Sequence, residues 1–221
     1  MSRRERAFIR HWTRVATPPL VPEIRLHLAE ELMPLWQTLA RDASDPELPP
    51  PYWAFAWAGG QALARYVLDT PDLVAGRRVA DIGSGGGIVA IAAARVGAAQ
   101  VDAIDIEPYA IEAIRLNAAA NGVADRVDPI ERDPVGSDAG WEVVLAGDVW
   151  YEADLAAYME PWLRTLAARG ALVLTGDLGR AYLPAAGLTE LARCVVPTVV
   201  DLEDVPEKTA RVLRVGPTVH L

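Results

Sequence analysis

The chain has 221 residues and a mass of 23.8 kDa, the size of one generous domain, and 52% hydrophobic residues allow it to bury a core. It carries 30 acidic and 21 basic residues, a net charge of −9, so the molecule as a whole would repel a phosphate backbone. We therefore expect no nucleic-acid partner. The single cysteine, Cys194, excludes an internal disulfide.

The sequence lacks the patterns of a membrane span, a secretion signal and a metal site, and these absences guide the predictions of location and metal content. No apolar run approaches the roughly 18 to 20 residues needed to cross a bilayer. The first residues lack the apolar stretch of about 7 to 15 residues of a secretion signal. We expect a cytoplasmic protein with no membrane partner. The histidines show no metal-ligand spacing, so no metal site is predicted; they are His11, His27 and His220.

Residues 1–51 are predicted to form a helical N-terminal segment, because Ile24, Leu28, Leu32 and Leu35 recur at three- and four-residue spacing. Residues 52–221 form the second predicted unit. Its helices are predicted at 60–69, 88–97, 108–121 and 154–169. Its strands are predicted at 77–83, 99–106, 126–132, 141–149, 171–177, 194–203 and 209–215.

Alternating strands and helices predict an α/β fold, a doubly wound Rossmann-like domain with helices on both faces of the sheet. The seven predicted strands would form a mostly parallel sheet. The last two follow each other without a long helix, which predicts a terminal antiparallel pair. Pro129 cannot donate a hydrogen bond to a neighbouring strand, so we expect its strand at the sheet edge.

A glycine-rich motif, DIGSGGG, occupies the turn from the first of these strands into a helix, and it contains Asp81, Gly83, Gly85 and Gly87. Glycines allow positive φ and close approach of a ligand to the backbone, and a helix N-terminus offers unpaired N–H groups. The dinucleotide fingerprint requires Gly or Ala where this chain has Ile88, which disfavours NAD. A merely tight turn is the alternative.

Two acids end neighbouring strands of the predicted sheet. Asp105 ends the second strand, where its carboxylate could accept hydrogen bonds from both ribose hydroxyls of an adenosine ligand. Asp102 lies further back in that strand and is disfavoured; the alternative role of Asp105 is to cap the following helix. Asp133 follows the third strand and could accept from an adenine amine, although Asp128 and Asp138 compete for that role.

These motifs, with the strand WEVVLAGDVWYE, resemble the class I S-adenosylmethionine-dependent methyltransferases. Four segments more narrowly resemble the lysine methyltransferases of the electron transfer flavoprotein β subunit; they are PEIRLHL (22–28), PYWAFAWAGGQALARYVLD (51–69), GDVWYE (147–152) and GDLGRAYLP (176–184). The resemblance implies a seven-β-strand methyltransferase domain over residues 52–221, S-adenosylmethionine as cofactor, and a protein substrate, the flavoprotein β subunit.

The resemblance also implies roles for individual residues. Trp57, Gly59 and Gly60 would belong to the cofactor pocket with the glycine motif. The acid-x-x-aromatic motif of such enzymes is matched by Asp148 and Tyr151. With Trp150 between them, these are the predicted catalytic residues, and their rings could attract a cation. Trp53 and Phe55 are expected in the core.

The chemistry of amine methylation limits what Asp148 can do. A lysine amine with a pKa of about 10.4 is neutral in only about one part in 2,500 at pH 7, so it must lose a proton before it attacks a methyl group. A carboxylate with an ordinary pKa near 3.9 is too weak a base to hold that proton. We expect Asp148 to orient the amine while water takes the proton. Methylation of a small amine and non-catalytic binding of an adenosine ligand are the alternatives.

Overall fold

The computed structural model describes residues 3–43, 48–197 and 205–218. The N-terminal segment contains helix α1 (Arg3–Trp12), the short antiparallel strands β1 (Arg14–Ala16) and β2 (Leu26–Leu28), and helix α2 (Leu32–Ala43). Residues 44–47 of the predicted N-terminal segment lie outside the described residues.

The predicted helix through Ile24 and Leu28 is wrong. Ile24 follows a turn and Leu26 begins strand β2, and both are buried in the main core. Pro22 and the two prolines before it, at 18 and 19, disfavour a helix here because proline lacks an N–H and clashes with the preceding turn. The three- and four-residue spacing therefore combined residues from a strand and from a later helix.

The second unit alternates helices and strands. Its helices are α3 (Ala58–Asp69), α4 (Ile88–Arg95), α5 (Pro108–Ala120) and α6 (Ala153–Ala168), with 3₁₀ turns at Tyr52–Ala54 and Pro71–Leu73. Its strands are β3 (Arg78–Ile82), β4 (Gln100–Asp105), β5 (Val127–Glu131), β6 (Val143–Gly147), β7 (Leu172–Asp177), β8 (Leu188–Pro197) and β9 (Glu207–Val215).

The seven strands of this unit form one sheet in the order β5-β4-β3-β6-β7-β9-β8. Strands β3 to β7 are parallel, while β9 runs antiparallel to both β7 and β8. This confirms the predicted fold class and the terminal antiparallel pair. Pro129 lies in the edge strand β5, as predicted. Strand β8 begins at Leu188, earlier than predicted, and residues 198–203 of the predicted strand lie outside the described residues.

Both faces of the central strands of the sheet are buried. Along β6, Val143 and Leu145 pack in the cluster that contains α3 and α4, whereas Val144 and Ala146 pack in the cluster that contains α6. Successive side chains of a strand point to opposite faces, so a central parallel strand requires a continuous apolar run. The loops at the carboxyl ends of β3, β4, β6 and β7 are consequently the places left for polar side chains.

The N-terminal segment packs against this unit. Ile9 shares a buried cluster with Trp53 and with Ala110 of α5, and Arg6 forms an ion pair of 3.1 Å with Glu112. Among the described residues, no helix is long and apolar enough to span a bilayer.

Candidate active site

The glycine motif forms the loop between β3 and α4. Gly83, Gly85 and Gly87 have φ angles of 62°, 53° and 83°, a left-handed conformation that residues with a side chain rarely adopt. A Cβ atom on Gly86 would lie 2.9 Å from the Trp53 carbonyl oxygen, so the loop backbone packs directly on the Tyr52–Ala54 turn. The glycines therefore bring a bare backbone to the carboxyl edge of the sheet.

Asp81 supports this loop from inside the protein. Its carboxylate is buried and accepts hydrogen bonds from the Ser84 hydroxyl at 2.6 Å and the Ala90 amide at 3.0 Å. Burial raises the pKa of Asp81 to about 7, and the Asp105 carboxylate raises it in the same direction. This geometry favours a role in holding the loop over direct contact with a ligand.

The raised pKa of Asp81 predicts how stability depends on pH. The native protein holds this proton up to about pH 7, whereas the unfolded chain releases it near the ordinary value of 3.8, so the free energy of unfolding should fall as pH rises from about 4 to about 7. Asp81→Asn cannot ionise, and its pH profile in urea denaturation should be flatter by up to about 4 kcal/mol over this range. The control is Asp128→Asn, which also removes one acidic side chain but does so at an exposed position. Parallel profiles for Asp81→Asn and the wild type would refute the assignment.

Asp105 lies at the end of β4 and contacts the glycine loop. Its two carboxylate oxygens accept hydrogen bonds from the Gly85 amide at 2.8 Å and the Glu107 amide at 3.0 Å. Asp102, in contrast, lies within the strand and accepts a hydrogen bond from the Trp141 indole at 2.7 Å. The structure thus places Asp105, and not Asp102, at the edge where a ligand could reach it.

Two features beside Asp105 fit a nucleoside. Burial raises the pKa of Asp105, and burial together with the Asp105 charge raises the pKa of Glu107 to about 8. Hydroxyl donors, such as the two of a ribose, would stabilise the charged form of these carboxyl groups. Between them Ile106 is 71% exposed, an apolar side chain that a planar base could cover. Ile106 and Glu107 were not predicted from the sequence, although an aliphatic residue between two acids at a strand end is a recognisable pattern.

Asp133 lies just beyond β5 and is exposed. Its carboxylate accepts hydrogen bonds from the Val135 amide and from the Tyr158 hydroxyl, both at 3.0 Å. Each of its oxygens can accept a further hydrogen bond. The predicted contact with an adenine amine stays a prediction.

Asp148 follows β6 and is held in an unusual conformation. Its φ is 57°, and among the described residues it is the only non-glycine residue with positive φ. Its amide donates to the Gly176 carbonyl at 2.9 Å, and its carboxylate accepts from the Gly60 amide at 2.6 Å. The Arg180 guanidinium lies 3.4 Å from the other carboxylate oxygen. Its side chain is only 10% exposed, so its position is fixed from several sides.

Gly59 and Gly60 form the first turn of α3, which begins after Trp57. A Cβ atom on Gly59 would lie 2.5 Å from the Gly176 carbonyl oxygen and 2.7 Å from the Asp148 carboxylate. These glycines therefore let a helix N-terminus, with its partial positive charge, approach the Asp148 carboxylate. Their contacts position Asp148, and their place in the cofactor pocket stays a prediction.

The two adjacent glycines should respond differently to a methyl group. Gly59→Ala would force the helix away from β7 and should lower the free energy of unfolding by about 1 to 3 kcal/mol. In Gly60→Ala the nearest atom to the new Cβ is 3.5 Å away, so this variant should match the wild type or be up to about 1 kcal/mol more stable. Urea denaturation of both variants tests the packing. Equal stability of the two would contradict it.

Three aromatic side chains, Tyr52, Trp57 and Tyr151, pack against one another, and we call them the aromatic rim. The ring centroid of Tyr52 lies 5.8 Å from Trp57 and 5.3 Å from Tyr151. Burial and the nearby Glu152 carboxylate raise the pKa of Tyr151 to about 12. The Tyr151 hydroxyl is therefore neutral at physiological pH and can donate a hydrogen bond or pack against a cation, but it cannot act as a base.

The expectation that Trp150 lines the reaction site is wrong. Its ring is fully buried in the cluster that contains α6, and its indole N–H donates to the Thr175 hydroxyl at 2.8 Å. The chain after β6 turns so that the Tyr151 side chain is partly exposed while Trp150 faces the core. Trp53 and Phe55 are buried, as predicted. Among the described residues, no group of His, Cys, Asp and Glu side chains could hold a metal ion.

Comparisons with known proteins agree with this geometry. The family model of ribosomal protein L11 methyltransferase (PrmA) matches residues 61–175. The electron transfer flavoprotein beta subunit lysine methyltransferase of Xenopus laevis is 43% identical over 181 residues, 80% of this chain and 71% of that protein. The human protein of the same name is 40% identical over 192 residues, 79% of this chain and 66% of that protein.

The chain belongs to the electron transfer flavoprotein beta subunit lysine methyltransferase family. It therefore belongs among the methyltransferases, with S-adenosylmethionine as cofactor. A solved structure of magnesium protoporphyrin IX methyltransferase from Synechocystis with bound S-adenosylmethionine shares the fold, with a TM-score of 0.52, 14% identity, and coverage of 71% of this chain and 78% of that one. The matched segment covers 71% of the Xenopus protein and 66% of the human one, so these relatives extend beyond it.

Proposed function

We propose that this methyltransferase transfers methyl groups to lysine side chains of a protein, and that the electron transfer flavoprotein β subunit is its substrate. The observation that carries the proposal is the fixed carboxylate of Asp148, at the same edge of the sheet as Asp105 and the glycine loop. The relatives named for this substrate support it. The cytoplasmic location and the absence of a nucleic-acid partner stay predictions from the sequence.

Different residues would bind the cofactor and the substrate. Asp105 and the backbone of the glycine loop would hold the nucleoside, and Ile106 would cover its base. When bound, S-adenosylmethionine supplies a methyl group on a positively charged sulfur. A neutral lysine amine forms the new N–C bond as the C–S bond breaks, which requires the two partners to be aligned at about 3 to 3.5 Å.

Asp148 would supply that alignment by accepting a hydrogen bond from the amine. The carboxylate is already oriented by the Gly60 amide and by its own backbone bond to Gly176, so little further ordering is needed when a substrate enters. The aromatic rim can attract the charged form of the lysine as it approaches. The lysine then releases its proton to bulk solvent, because Asp148 is too weak a base to hold it and Tyr151 is already protonated.

The acidic character of the chain also favours a basic protein partner. A net charge of −9 attracts lysine-rich surfaces over long range and raises the rate of association. The chain itself contains one lysine, Lys208, so labelling of the enzyme by its own activity gives little background.

A methyl-transfer assay with matched substrates tests the proposal. The purified protein is incubated with radiolabelled S-adenosylmethionine and, in separate reactions, the flavoprotein β subunit, ribosomal protein L11, or small primary amines. We expect label in the β subunit, mapped by mass spectrometry to a lysine, and a rate of labelling at least about 100-fold lower with Asp148→Ala. Label in L11 alone, or in the small amines alone, would show that this acceptor is the substrate and that the β subunit is not. Absence of label from every acceptor, with a protein that binds the cofactor, would contradict catalysis.

A further inference from the structure

Arg180 is a charged residue beside Asp148 that has no role in the proposed function described above. It lies in the loop after β7, where the carboxylate of Asp177 accepts hydrogen bonds from the amides of Gly179 and Arg180 and so fixes the turn. From this turn the guanidinium reaches across to Asp148, 3.4 Å from its carboxylate oxygen. Its side chain is 25% exposed, so a ligand beside Asp148 could reach it.

The position of Arg180 matters because Asp148 has two opposed effects on a lysine amine. A carboxylate orients the amine, but its negative charge also favours the protonated form, which cannot attack a methyl group. The neutral fraction of a lysine is already only about one part in 2,500 at pH 7. A guanidinium stays charged at any physiological pH, so a fixed arginine beside the carboxylate opposes this second effect without removing the first.

Other charged and titratable groups face the same place from each neighbouring element. Glu152 raises the pKa values of Tyr52 and Tyr151, while Arg180 lowers both, so the charge of Arg180 acts on the aromatic rim as well. Two further acids interact with these groups, since the Asp105 charge raises the pKa of Tyr151 and the Arg180 charge lowers the pKa of Asp177 against the larger effect of burial. Arg211 acts on Asp177 and Glu190, and Glu190 is ion-paired with Arg193 at 2.8 Å.

We propose that Arg180 is a positioning residue that balances the charge of Asp148, so that this carboxylate can orient the substrate amine without holding it in its protonated form. This inference rests on the proposed lysine methylation. It assigns to the loop after β7 a role in setting the pH range over which the enzyme works.

Three variants test the inference, with a peptide containing the lysine that the wild-type enzyme methylates. In Arg180→Gln we expect the rising limb of kcat against pH, which reports the amine in the bound complex, to move up by about one pH unit or more, so that kcat is about tenfold lower at pH 7. Arg180→Lys retains a positive charge and should retain the wild-type profile. Arg65→Gln removes a guanidinium of similar exposure, 26%, from an ion pair with Glu23 elsewhere, and should change nothing.

A binding measurement separates charge balance from simple loss of structure. With S-adenosylhomocysteine present, Arg180→Gln should bind the lysine peptide as tightly as the wild type or more tightly, since the Asp148 charge is then unopposed; a peptide with norleucine at that position is the control. A rate loss that is equal at every pH, weaker peptide binding, or the same shift in Arg180→Lys would overturn the inference. A wild type that methylates no lysine defeats the proposed function instead, and is seen before any variant is made.

Discussion

Asp148→Ala is expected to lower kcat/KM for lysine methylation by roughly 100- to 1,000-fold while leaving the affinity for the cofactor nearly unchanged. The variant removes the acceptor that orients the amine and the partner of the Gly60 amide. Asp105 and the glycine loop keep their contacts, which accounts for the separation between rate and cofactor binding. Single-turnover rates and calorimetry with S-adenosylhomocysteine measure the two quantities.

Two further substitutions separate the carboxylate from the backbone strain at this position. Asparagine can still accept from Gly60 and tolerates the φ of 57°, so Asp148→Asn should keep measurable activity, roughly tenfold below the wild type. Glycine relieves the strain but has no acceptor. Asp148→Gly should therefore be as inactive as Asp148→Ala and more stable than it by about 1 kcal/mol. Equal activity of the asparagine and alanine variants would defeat the orienting role.

Asp105→Ala is expected to weaken the binding of S-adenosylhomocysteine by about 100-fold or more. Two hydrogen bonds from ribose hydroxyls to a carboxylate would be lost, each contributing about 1.5 to 3 kcal/mol. The Gly85 amide would also lose its acceptor, and with it the fixed conformation of the loop. Isothermal titration calorimetry gives the affinity directly.

Asp102→Asn is the matched control for Asp105→Ala. It changes an acid of the same strand that bonds to the Trp141 indole and lies away from the sheet edge. Its affinity for S-adenosylhomocysteine should stay within about threefold of the wild type, since no ligand contact changes. If Asp105→Ala bound the ligand as tightly as Asp102→Asn, the assignment of the nucleoside to the end of β4 would be wrong.

The sheet could be predicted from the sequence because its strands are short apolar runs between turn residues. Strand β6 carries four consecutive buried residues, which a parallel sheet covered on both faces requires. Pro129 indicated the edge strand because proline has no N–H to donate to a neighbouring strand and is therefore rare in central strands. The N-terminal segment could not be predicted in this way, because Ile24 and Leu26 are buried by contacts with residues distant in the sequence.

The site was predictable where one local rule decides a position. Left-handed turns require glycine, which located the loop at Gly83 and Gly85, and strand alternation separated Asp105 from Asp102. The direction of Trp150 could not be predicted, since it depends on the turn made by Asp148 at positive φ. Arg180 reaches Asp148 across 32 positions of chain, and only the pairing of β6 with β7 brings the two together.

The most direct measurement is a crystal structure of this protein with S-adenosylhomocysteine. We predict that the ribose hydroxyls donate to the Asp105 carboxylate, that the adenine packs against Ile106, and that the sulfur is directed toward Asp148. A nucleoside bound elsewhere on the molecule, or one seated at this edge with its sulfur turned away from Asp148, would contradict this prediction.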